Sequence, residues 1–139
     1  MRHSESFGLL EGEMGGRRLI ANVDFSLRKF REKGRFPWFL SLSTTMKECD
    51  PDGMPAGKEA EALDSWEDDV EAAITTAAEF KFVGRVTWNG HRELIYHLHE
   101  PAAAASSLQR LIDSGTTRPF AFRCERDECW SNAGQYLSA

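Results

Sequence analysis

An α+β fold, with helices on one face of a largely antiparallel sheet, is predicted by three features of the sequence. Several stretches alternate apolar and polar residues, two others repeat apolar residues every three or four positions, and an Asn-Gly pair links two of the alternating stretches. Alternation is the mark of a half-buried strand, the longer period that of an amphipathic helix, and Asn-Gly that of a two-residue hairpin turn. The chain of 139 residues is long enough to bury roughly two-thirds of its unfolded surface around one core. A single domain, residues 1–139, is expected.

Taken in order, Gly15-Gly16 is most simply a turn, and "RRLIANVDFSL" alternates Leu19, Ala21, Val23, Phe25 and Leu27 with polar neighbours, as a strand with one buried face does. "RKFREKGRFP" interrupts with charge, a glycine and a proline and reads as a loop. "WFLSLSTTM" resumes the alternation until "DPDGMPAG" stops it with dense turn chemistry. Between Lys58 and Phe80, Leu63, Trp66, Val70, Ala73, Ile74 and Ala77 fall on one helical stripe, and most of the acids lie in the first half, where the helix dipole favours them. "KFVGRVTW" and "HRELIYHLH" flank Asn89-Gly90 as a hairpin. "PAAAASSLQRLIDSG" is a second helix, with Pro101 near its start and Gly115 past its end. "RPFAFRCER" is a last strand, followed by a tail with Trp130 and Tyr136 available to pack back.

From Trp38 onward this order is βαββαβ, the ferredoxin-like split βαβ arrangement, preceded by an additional N-terminal strand. Right-handed crossovers put both helices on one face. Counting outward from Asn89-Gly90 pairs Trp88 with His91, Val86 with Glu93, Gly84 with Ile95, Phe82 with His97 and Val83 with Tyr96. The row Leu94, Tyr96, Leu98 is the better core row and belongs under the helices. Phe82, Trp88, Ile95, His97 and His99 are then expected on the opposite face, open unless the terminal segments cover it, and form the candidate interface.

Composition narrows the function. With 41% hydrophobic and 28% charged residues the chain is of the globular class, and no apolar run approaches a membrane span. The opening "MRHSESFGLLEGEMGG" has no stretch of signal-peptide length, and three cysteines, Cys49, Cys124 and Cys129, do not make a disulfide framework. A cytoplasmic location is expected. The net charge of −5 is uneven: residues 48–71 hold ten acids against Lys58, and residues 17–36 hold seven bases against Asp24 and Glu32.

Three of the four histidines, His91, His97 and His99, lie within nine positions. At about 3.3 Å per strand residue, His91 and His97 stand roughly 20 Å apart and cannot share an ion. His97 and His99 share a face, but a third ligand would have to come from Cys49, Cys124, Cys129 or His3. No metal, cofactor or catalytic residue is therefore expected. An RNA-binding reading draws on "RKFREKGRFPW", which interleaves Phe30, Phe36 and Trp38 with bases; the overall acidity and the lack of an RNA-recognition motif oppose it.

Gly53 and Pro55 leading into an acidic helix, the hairpin residues Gly84, Thr87, Gly90, Arg92, Glu93 and Tyr96, and Asp127 with Trp130 together resemble a bacterial family known as domain of unknown function 695. The resemblance spans residues 38–130 and implies a fold without implying an activity. Its architecture is similar to that of the type B regulators of ribonuclease E activity, small acidic proteins that act by binding an enzyme. The leading expectation is a non-catalytic protein-interaction or regulatory module, with a protein partner or homodimerisation and no membrane. The alternatives are a small-ligand binder or enzyme using the histidine row and, last, RNA binding.

Overall fold

The structure is a computed structural model, and residues 7–138 are described. It is a mixed α+β fold with one six-stranded antiparallel sheet and three helices. In chain order the elements are β1 (Phe7–Met14), β2 (Arg17–Asp24), two short 3₁₀ turns (Phe25–Lys29 and Lys33–Arg35) and β3 (Trp38–Thr45). There follow α1 (Glu59–Thr75), β4 (Phe80–Trp88), β5 (His91–Leu98), α2 (Pro101–Ser114), β6 (Ala121–Arg126) and α3 (Ser131–Leu137). Across the sheet the strands run β1-β2-β4-β5-β3-β6.

The N-terminal region departs from expectation, because two added strands stand where one was predicted. Gly15 and Gly16, at φ 61° and 77°, form the two-residue turn that folds β1 back on β2. The strand expected to run on to Leu27 stops at Asp24, whose carboxylate accepts from the Ser26 amide (3.1 Å) and starts the first 3₁₀ turn. Phe25 and Leu27 thus reach the core from a helical turn. Similarly α1 ends at Thr75 rather than Phe80, as Thr76 turns its hydroxyl onto the Ala73 carbonyl (3.1 Å) and Phe80 opens β4.

Asn89 and Gly90, at φ 47° and 77°, make the central hairpin turn as predicted, and Trp88 faces His91 across it. The predicted register holds as far as Gly84 opposite Ile95. There a bulge at Val83 shifts it by one, so Phe82 faces Tyr96 and Lys81 faces His97. A slip of one residue sends each side chain beyond it to the other face. Gly84 leaves room for β2, since a Cβ there would lie 2.4 Å from the Asn22 carbonyl oxygen.

Two cores result, one on each side of the sheet. Under α1 and α2, Leu40, Leu42, Leu94, Tyr96 and Leu98 meet Leu63, Trp66, Val70, Ile74, Ala104 and Leu108, as the helical stripes require. On the opposite side Ala21, Val23, Phe39, Val83, Val86 and Ile95 are capped by Leu27, Phe36, Trp130, Ala133 and Leu137. The face expected to be open is closed by the basic segment and by α3.

Candidate functional site

The expected interface set does not share one exposed surface. Ile95 and His97 are 2% and 0% exposed in the second core, and the bulge places the half-buried Phe82 on the helix side beside Tyr96 (ring centroids 5.0 Å apart). Trp88 is half-buried at the hairpin end, where its Nε1 donates to the Met14 carbonyl (2.8 Å) and its ring stacks on His91. Only His99 is well exposed, with Nδ1 bonded to the Arg35 carbonyl (2.7 Å).

The histidine row does not converge. His97 Nδ1 donates to the Phe36 carbonyl (2.8 Å), and its ring lies flat under Trp130, with centroids 4.0 Å apart and planes 9° apart. Burial pushes its pKa down to about 4, against the Phe36 bond and the charge of Asp127. A neutral ring sealed under an indole is a packing element. Among the described residues no three His, Cys, Asp or Glu side chains group as metal ligands; His3 lies outside the described residues. The aromatics of the basic segment are also committed to packing: Phe36 is buried, and Phe30 packs on Phe36 and Trp130.

The residues that carried the family resemblance have structural tasks. Glu67 of α1 accepts from Arg85 Nε (2.7 Å) and Arg92 Nη1 (2.9 Å), and Arg92 Nε donates to Thr87 Oγ1 (2.9 Å), which ties the helix to the hairpin through buried charge. Gly53 rests on the hairpin turn: its carbonyl accepts from the Gly90 amide (2.9 Å), and a Cβ there would be 2.6 Å from Asn89 Cα. Glu93 accepts from the Ser41 hydroxyl. Asp127 takes the amides of Ser131 (2.9 Å) and Asn132 (3.0 Å) at the start of α3, and Trp130, at φ 57°, donates Nε1 to the Phe36 carbonyl (3.0 Å). This signature describes how the fold is locked, and no reacting group emerges from it.

A second buried pair joins Glu59 to Arg118 (3.0 Å) and to the amides of Lys47 and Glu48. Burial would raise the Glu59 pKa, but the Arg118 bond and the two amides hold it below its ordinary value. An open cleft of 510 Å³ is lined by Arg28, Lys33, Cys129, Trp130, Gly134 and Leu137. Its cations are engaged: Arg28 Nε donates to the Leu137 carbonyl, and Lys33 Nζ to the carbonyls of Arg28 and Phe30 (3.2 Å each). They hold the second core together and offer little to a ligand.

The surface that stands out is β1. Phe7, Leu9 and Met14, at 44%, 56% and 49% exposure, are the large hydrophobics exposed among the described residues, and all three lie on this edge strand. Phe7 touches Phe82 (5.9 Å between centroids), so the row Phe7, Leu9, Glu11, Glu13 faces the helix side. Leu10 packs into the second core on the other. The exposed acids of α1, including Asp64, Asp68 and Glu71, stand on the same side of the sheet as this row. The basic 3₁₀ segment is on the opposite side, so the sheet lies between it and α1. Sequence reading passed over β1 because Gly8 and Gly12 interrupt its alternation; Gly15-Gly16 with apolar residues on both sides was the available signal.

A family model described as "Family of unknown function (DUF695)" matches residues 10–138. No curated protein and no solved structure matches the chain.

Proposed function

The chain belongs to the DUF695 family, a family of unknown function, and from that premise we propose that it is a non-catalytic protein-interaction module whose contact surface is the β1 edge. The observation that carries this reading is the concentration of exposed apolar side chains on one edge strand. Apolar residues scattered singly over a surface need no explanation; three on one edge strand, whose outer side is unpaired among the described residues, place contact area beside free backbone groups. The acids of α1 on the same side favour a basic partner and speed its approach.

The strand order β4-β5-β3-β6 supports reading the part from Trp38 to Arg126 as a ferredoxin-like βαββαβ unit, with the β1-β2 hairpin added at its β4 edge within one domain. Free thiols at Cys49, Cys124 and Cys129 support a reducing, cytoplasmic setting. No helix among the described residues is long and apolar enough to cross a membrane.

Affinity capture from cell extract, comparing the native chain with Leu9→Lys and with a control at the far edge, Arg123→Glu, tests the reading. Proteins held by the native chain and the control but lost from Leu9→Lys are expected. Identical lists for all three overturn it.

A further inference from the structure

Both edges of the sheet end in a strand, and the two are built differently. On β6, Arg123, Glu125 and Arg126 put charges of both signs along the strand, and Arg123 also lies over the Phe39 ring (5.2 Å). Mixed charge on an outer strand discourages another strand from pairing with it. β1 has no lysine, arginine or proline, and its register with β2 is unbroken from Phe7 to Met14, so no bulge disturbs it. It is a regular edge with apolar side chains exposed.

The hairpin turn determines which backbone groups are free. A two-residue turn makes Met14 and Arg17 a hydrogen-bonded pair, so Gly12, Leu10 and Gly8 also direct their amides and carbonyls at β2. Phe7, Leu9, Glu11 and Glu13 direct theirs outward. The same four side chains form the helix-side row, whose first half is apolar and whose second half is acidic. Glu11 meets Arg18 at 3.4 Å, with both side chains about half exposed, a pair weak enough for an incoming cation to replace.

We propose that β1 receives an extended segment of a partner protein as a seventh, antiparallel strand, whose helix-side residues run basic, basic, apolar, apolar from its N-terminus at alternate positions. The proposal rests on β1 being the interaction surface and adds the conformation and chemistry of the occupant. Antiparallel pairing sets the two basic residues against Glu13 and Glu11 and the two apolar residues against Leu9 and Phe7. Cross-strand pairs of opposite charge and of apolar side chains are each favourable, while like charges directly opposite are not. A second copy of the chain fits less well, because the only charges its β1 would bring are Glu11 and Glu13 themselves. An amphipathic helix would leave the four outward amides and carbonyls without partners.

The test uses the full chain and nine-residue fluorescent peptides in which Lys, Lys, Val and Val alternate with Thr. Anisotropy titration is expected to show binding that weakens about tenfold when the two Lys become Glu, since two cross-strand pairs change sign. Glu11→Lys combined with Glu13→Lys in the protein should exchange that preference. Backbone N-methylation at the Lys and Val positions should abolish binding, whereas N-methylation at the Thr positions, which face away from the sheet, should leave it intact. Hydrogen exchange should slow at Phe7, Leu9, Glu11 and Glu13. Equal affinity for the Lys and Glu peptides, indifference to the position of methylation, or no binding overturns strand addition. A concentration-dependent doubling of mass with the same four amides protected assigns the edge to a second copy and overturns it too. If strand addition fails while Leu9→Lys still loses captured proteins, the interaction reading stands without it; if that capture is also unchanged, both fail.

Discussion

The two faces of the sheet are both buried, but by different means. On the helix side, α1 and α2 lay regular stripes of Leu, Val, Ile and Ala on Leu94, Tyr96 and Leu98, and the apolar load is shared among many side chains. On the other side irregular segments do the covering, and one residue joins them: Trp130 stacks on His97, touches Phe30, lies beneath Lys33 and donates to the Phe36 carbonyl. Distributed packing resists single substitutions better than a cover held by one ring, because neighbours relax only partly around a large void.

Trp130→Ala puts the comparison under the heaviest load. Loss of about 3–5 kcal/mol is expected, measured by urea unfolding. Native-state hydrogen exchange should speed up over α3 and the Phe36 region before it does in α1. For Leu63→Ala, in the helix-side core, a loss of about 2–5 kcal/mol is expected without selective opening of α3. If the two variants give the same exchange pattern, the second core is no less distributed than the first.

The helix side has its own concentrated element, the Arg85-Glu67-Arg92 cluster. Glu67→Gln leaves Arg92 buried without its carboxylate and should cost about 3 kcal/mol. Replacing Glu67 and Arg92 together with Leu and Met should cost much less, as one change no longer strands the other partner. Equal losses in the single and double variants would show that the cluster contributes through packing volume and not through charge.

Acid tests the opposite face selectively. The His97 pKa is depressed to about 4 in the folded state, so between that value and the ordinary 6.5 the unfolded chain binds more protons. Stability is therefore full above about pH 6.5 and is lost as the pH falls towards 4, by roughly 3 kcal/mol from a shift of this size. His97→Gln should flatten that window. Glu59, with its folded pKa lowered, withdraws its contribution in a more acidic window, below the ordinary carboxylate value. A native pH profile unchanged by His97→Gln would remove the histidine from the explanation. The smallest effect is expected from Asp127→Ala, about 1 kcal/mol for a lost helix cap, read as faster amide exchange at Ser131 and Asn132.

The helix-side core was legible because helix and hairpin patterns are local. Leu63, Trp66, Val70 and Ile74 announce their face by spacing, and Asn89-Gly90 sets the register near the turn. The opposite core and the N-terminal edge were not, for three reasons. The bulge at Val83 moved Phe82 to the helix side, and a bulge leaves no mark in a pattern of apolar and polar residues. Phe36 and Trp130 come from segments without periodicity, and a burial partner 94 residues away cannot be read from local order. The Gly8 and Gly12 interruptions hid β1, and with it the surface that now carries the functional reading.

The sequence by itself determined the element types, the central hairpin, the helix-side core row and the separation of acidic from basic segments. Each depends on the period of side chains along a few residues or on the φ that a turn residue tolerates. Only the tertiary structure decided that the face around Ile95 and His97 is sealed, that His97 is a neutral packing residue and that β1 carries the exposed apolar side chains. Those outcomes depend on which distant segment covers a surface, and that choice is made by total burial over the whole chain.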